Sequence, residues 1–231
     1  MDSDRPRVLN AMPAPVWLAV VAILGVEAVL MAAGMGLIGG PQGLGWRVHA
    51  IERFSYSAAI QHWMFETHQF PGYNLLRYVS FGFVHASPMH ALFGAVIVAA
   101  LGKAVAETFG HAAFVVLVLP VPALGAAVYG LILGADSRAW LVGALPAGFA
   151  LVGAFTWHRW RQAANATERR RAFSMIGLLL GARIAFGVFG ESAPMWVAEL
   201  ACFAIAFGAS ALFLGPGSWQ RTRAVLKGRS L

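Results

Sequence analysis

The chain is 231 residues long, 59% hydrophobic and only 12% charged, with a mean hydropathy of +0.68 and a formal net charge of +7. A soluble domain of this size carries about a quarter charged residues, so the composition excludes the ordinary soluble classes. At about 20 apolar residues per spanning helix, the length accommodates about six or seven spans and short connections, with no separate soluble domain. The basic excess does not point to nucleic acid. Lys and Arg lie in short connections and at the two ends, where the positive-inside bias places them.

Residues 1–13 form a short polar leader with Arg5 and Arg7. The apolar run 15–40 follows, and at some 25 residues it exceeds the h-region of a signal peptide, about 7–15 residues, so it predicts a retained helix. Residues 41–78 are too polar to span and too apolar for a solvated loop. Trp46, Trp63 and Tyr73 among charged neighbours predict a segment lying in the membrane interface. A second run covers 79–102, ending in a turn with Lys103 and Glu107. A third covers 112–134, where Pro120 and Pro122 predict a kink or break. After a polar turn at 135–138 the fourth run is 140–157. The basic connection 158–171, with five arginines, leads to a fifth run at 172–190 and a sixth at 194–214. A basic tail, 216–231, closes a single membrane domain spanning 1–231.

Six runs put both ends on one side. With a cytoplasmic N-terminus, twelve basic residues fall inside and four outside (Arg47, Arg53, Arg77 and Arg138), which favours N-in, C-in orientation.

Glu27, Arg183 and Glu199 fall within predicted spans, where an ionisable group must face the bundle interior or a partner. Runs five and six are antiparallel, and Arg183 and Glu199 stand at similar depth, so they are predicted to form a structural ion pair. The lone cysteine, Cys202, lacks a disulfide partner and zinc-ligand spacing and reads as a small packing residue. His85 and His90, placed on one helix, would project about 140° apart at 100° per residue, a poor geometry for one metal. No HExxH accompanies them. No metal and no cofactor are expected.

Three stretches carry a resemblance. The first is LLRYVSFGFVHASPMHALFG, residues 75–94; the second GALPAGFALVG, residues 143–153; the third AELACFAIAFG, residues 198–208. They resemble, in order, the Arg-Tyr and His-x-x-x-x-His-x-x-x-Asn, the Gly-x-Ser-Gly and the Ala-His-x-x-Gly segments of the rhomboid intramembrane proteases. Arg77, His85, His90, Gly143, Phe149 and Gly153 match. Gly94 stands at the asparagine, Leu145 at the nucleophilic serine, Pro146 at the following glycine and Glu199 at the histidine base, with Cys202 at the small residue. The resemblance implies an all-α membrane protein: a six-transmembrane-helix bundle with a half-submerged loop between helices 1 and 2.

It also implies a reaction that these residues do not support. In the family a serine attacks the peptide carbonyl while a histidine takes its proton, and asparagine and histidine donors stabilise the oxyanion. Leucine has no nucleophilic atom, glycine has no side-chain donor, and Glu199 has no hydroxyl to activate. Loss of one such group alone costs orders of magnitude. Ser80, Ser87, Ser192 and Ser210 read as cap, turn or packing residues. The expectation is therefore a pseudoprotease that binds or scaffolds transmembrane segments of other membrane proteins without cleaving them. Its partners would be membrane lipids and another protein's transmembrane helix. Gly177 and Gly181 form a GxxxG pair on the fifth run, with Phe186 and Phe189 beside it as the partner-binding surface. Two alternatives stay open: an accessory subunit of a larger membrane complex, and an active protease with atypical residues.

Overall fold

The computed structural model describes residues 12–188 and 194–213, and the side chains of 182–188 and Phe213 lie outside that description. In chain order the elements are α1 (Ala14–Gly34), α2 (Gly40–Gly43), α3 (Trp46–Phe54), β1 (Tyr56–Ser57), α4 (Ala58–Thr67) and α5 (Gly72–Ser80). A 3₁₀ turn, Phe81–Phe83, precedes α6 (Pro88–Phe109), α7 (His111–Val118), α8 (Pro120–Leu133) and β2 (Trp140–Leu141). Then come α9 (Leu145–Gln162), α10 (Ala166–Ala172), α11 (Ser174–Val188) and α12 (Trp196–Phe213). Among the described residues three segments are long and apolar enough to cross a membrane: Ala14–Gly34, Pro88–Phe109 and His111–Leu133. A further apolar helix, Trp196–Leu212, is shorter.

Local chemistry moves several boundaries away from the sequence expectation. The second spanning helix begins at Pro88 rather than at 79, because Ser87 is extended (φ −155°, ψ 161°) and its hydroxyl accepts the His90 N–H at 3.2 Å. A serine N-cap followed by proline at the first helical position is a strong start signal. That helix also runs through Lys103 and Glu107 instead of turning there. The two are helical neighbours 4.0 Å apart, and the chain turns at Gly110, φ +91°. The predicted break falls at Leu119, between α7 and α8, where Pro120 offers no N–H to the preceding turn. The fourth helix starts at Leu145 rather than 140, because Trp140 and Leu141 pair with Ser57 and Tyr56 in a short antiparallel ladder. It continues to Gln162, and the basic connection contains α10, capped by Asn165.

The connection between α1 and α6 is a set of short helices held by buried polar bonds. The Tyr56 and Tyr78 hydroxyls both donate to Gln61 Oε1, at 2.5 and 2.7 Å, and Gln61 Nε2 donates to the Ala127 carbonyl of α8 at 3.2 Å. Trp63, Phe65, Phe70 and Tyr73 on this connection remain exposed.

The core is built around α9. Ala150, Leu151, Val152 and Ala154 are fully buried. Against α9 lies α12, which turns a column of small residues inward: Ala198, Cys202, Ala206 and Ser210, one helical turn apart and all inaccessible. Gly153 permits this approach, since a side chain there would run into the Phe203 carbonyl and the Ala206 methyl. Small residues at a helix seam allow such close packing in an apolar medium.

Candidate functional site

His85, His90 and Gly94 of the first motif meet Gly143 of the second at the N-terminus of α9. Gly143 adopts φ +90°, a left-handed conformation suited to glycine, and its N–H donates to the Phe81 carbonyl at 2.8 Å. This bend brings the His90 ring close. A Cβ on residue 143 would stand 2.6 Å from His90 Cε1 and 2.7 Å from Nε2. Ala144 is the N-cap, and Leu145 and Pro146 form the first turn, where a missing N–H is tolerated.

The Ala144 N–H donates to His85 Nε2 at 3.1 Å within the protein interior. His85 must accept at Nε2, so this nitrogen carries no proton, and its side chain is fully buried. Burial, and then the neighbouring His90, push its pKa down from 6.5 to about 4. The two imidazoles lie edge to face, ring centroids 5.2 Å apart. The helical angle expected between them does not apply, because His85 precedes the helix that carries His90. Gly94 completes the packing. A Cβ there would lie 3.1 Å from the Ala144 Cβ and 3.2 Å from His85 Nε2, so the ring and the α9 N-terminus occupy the space beside residue 94.

Leu145 is half-buried and contributes only carbon at the start of α9. Phe149, one turn on, is buried in the core around α9. Glu199 is 1% exposed in the first turn of α12, the helix packed along α9. Cys202, one turn further, is buried with Sγ 3.8 Å from the Val121 carbonyl. The side chain of Arg183 lies outside the described residues, and so does the Arg183–Glu199 pair.

Arg77 stands apart from the histidines. Its Nη1 donates to the carbonyls of Glu52 and Ser55, at 2.7 and 2.9 Å, and so fixes the end of α3. Among the described residues Gly177 and Gly181 are exposed on α11, and a Cβ at either would meet nothing within 4 Å. The side chain of Phe186 and all of Phe189 lie outside the described residues. Among the described residues no group of three or more His, Cys, Asp or Glu is arranged to hold a metal ion.

One functional contact was missed from the sequence. Arg47 of α3 donates two hydrogen bonds to the buried carboxylate of Glu27 in α1, Nη2 to Oε1 at 2.5 Å and Nη1 to Oε2 at 3.0 Å. The same Nη1 reaches the His85 carbonyl at 2.8 Å. The signal was available, since a carboxylate inside an apolar run requires a cation, and the following connection supplies few. Bidentate Arg–carboxylate pairing is strong and directional, so the pair ties α1, α3 and the His85 loop to one another.

The sequence matches the family model described as Rhomboid domain over residues 73–216. No curated protein matches the chain significantly.

Proposed function

Because the chain belongs to the rhomboid family, we propose that it is a pseudoprotease that binds transmembrane segments of other membrane proteins without cutting them. The observation that carries this reading is the state of the α9 N-terminus. The residue at the nucleophile position is Leu145, and the Ala144 N–H beside it is already donated to His85. An oxyanion site needs preorganised donors aimed at the developing charge. Here the Ala144 N–H has an internal acceptor, and Gly94 brings packing against His85 and Ala144 where the family carries an amide donor. Glu199 stands at the base position, with a leucine in place of the hydroxyl it would activate.

The binding half of the proposal rests on α11. Among the described residues nothing covers the Gly177–Gly181 face, the kind of surface on which a second helix can pack closely. The wider frame is also a proposal: six spanning helices, N-in and C-in, in a bacterial-type inner membrane, with the connection between α1 and α6 half-submerged. The exposed aromatic rings of that connection favour headgroup depth.

The test is reconstitution of the purified protein with transmembrane substrates that active rhomboids cleave, alongside fluorophosphonate labelling. Neither cleavage nor labelling is expected, and Leu145→Ser alone should restore neither, since the other two positions remain changed. Cleavage that co-purifies with the protein and is lost on mutating one of its serines would sink the proposal.

A further inference from the structure

The turn between α9 and α10 gathers positive charge that no carboxylate pairs among the described residues. Arg159 and Arg161 close α9, and Arg169, Arg170 and Arg171 close α10, all exposed. Among the described residues none of the five lies within ion-pair distance of a carboxylate. The one acid of the turn, Glu168, is committed elsewhere. Its Oε2 accepts the Ala164 N–H at 2.8 Å, its Oε1 accepts from Asn165 Nδ2 at 3.1 Å, and its own N–H donates to Asn165 Oδ1 at 2.9 Å. That reciprocal capping, in which Glu168 reaches back to the residue before the cap, fixes the turn and leaves the guanidinium groups without an ion-pair partner among the described residues.

The arginines divide into two sets. Arg161 lies over the Trp157 ring, 5.6 Å from its centroid, and Arg169 over Trp160 at 5.4 Å. Trp160 in turn meets Phe207 of α12 edge to face. Tryptophan beside the end of an apolar helix belongs at the level of the lipid headgroups, so these stacked pairs set the depth of the turn. The second set, Arg159 and Arg171, lines a recess of about 360 Å³ together with Gln162, Ala163 and Glu168. Two guanidinium forks at headgroup depth, without an ion-pair partner among the described residues, suit the oxygens of a phosphodiester, which arginine binds in bidentate fashion; the Gln162 amide beside them meets His158 Nε2 at 3.0 Å.

We propose that the α9–α10 turn is a binding site for the headgroup of an anionic phospholipid, with Arg159 and Arg171 on the phosphate and the Trp-stacked arginines holding the turn at the membrane surface. A basic recess between membrane helices is the type of site that selects acidic lipids over zwitterionic ones. The site is independent of whether the chain cleaves proteins.

The experiment is native mass spectrometry of the full chain released from nanodiscs containing equal phosphatidylglycerol and phosphatidylcholine. Retention of phosphatidylglycerol is expected to exceed that of phosphatidylcholine ~fivefold, roughly one favourable basic contact. In Arg159→Gln/Arg171→Gln the preference should fall to near unity, while Arg221→Gln/Arg223→Gln, an equal loss of charge in the tail, should leave it. Equal retention of both lipids, or equal loss in both double variants, overturns the site in favour of diffuse charge. Release of the lipid by millimolar inorganic phosphate at constant ionic strength would instead identify a free-phosphate site and overturn the lipid assignment. Should the glutamine pair fail to fold, Arg159→Lys/Arg171→Lys keeps the charge and removes the fork. A preference cut by half or more supports the site, and an unchanged one overturns it.

Discussion

At the scale of single residues, Glu27 and His85 show how a buried polar group constrains what surrounds it. An ionised side chain within the apolar core costs about 2.5 kcal/mol or more on insertion scales. Glu27 offsets that cost by pairing with Arg47, and Arg47 carries the restraint on to the His85 carbonyl. Glu27→Gln should therefore lower the melting temperature in detergent, and so should Arg47→Gln. The double variant should recover part of the loss, because removing one partner of a desolvated pair is worse than removing both. Strict additivity in that cycle would show that the two are not energetically coupled. The same cycle on Arg183 and Glu199 tests the second pair expected from the sequence. His85 adds a pH dependence. It is neutral in both folded and unfolded chains above pH 6.5. Between 6.5 and about 4 the unfolded chain takes up a proton that the folded one refuses. Stability should thus fall as pH drops through that window, by on the order of 3 kcal/mol, and level off below it. His85→Asn, which keeps a polar side chain without the titration, should flatten the window; an unchanged acid profile would remove His85 as its source.

At the scale of elements, the strongest sequence signals were those with a single physical cause. The paired prolines marked the break at Leu119, and Ser87 was legible as a cap. The start of α6 was not, because hydropathy runs continuously from 79 to 102 and only the Ser-Pro step at 87–88 separates a folded connection from a helix. The Lys103–Glu107 step misled in the opposite direction, since two charges one helical turn apart pair on a helix as readily as they mark a loop. Contacts such as Ala144 N–H to His85 were beyond reach, because a backbone donor leaves no trace in residue type. Nor could spacing alone place His85 and His90 side by side, once one of them left the helix. The proposed orientation is tested at this scale as well. A reporter fused within 158–171 should read cytoplasmic, and one fused at Asp136 external; the reverse pattern would invert the bundle and move the arginine-rich turn to the other leaflet.

At the scale of the whole molecule, a rhomboid chain combines a closed histidine cluster with an open glycine face. The α9 N-terminus is occupied by the protein's own side chains, whereas α11 carries two glycines that none of the described residues covers, with Leu178 73% exposed beside them. A chain that binds without cutting needs both features. The most direct measurement is photo-crosslinking in native membranes from p-benzoylphenylalanine introduced at Leu178, with the mass of each captured protein determined. The prediction is adducts with membrane proteins of full, uncleaved length, whose yield drops severalfold when Gly177→Leu and Gly181→Leu close the face, about 1 kcal/mol of helix–helix packing. Captured fragments ending at a cut within their own transmembrane segment, with yields proportional to fluorophosphonate-sensitive turnover, would contradict it.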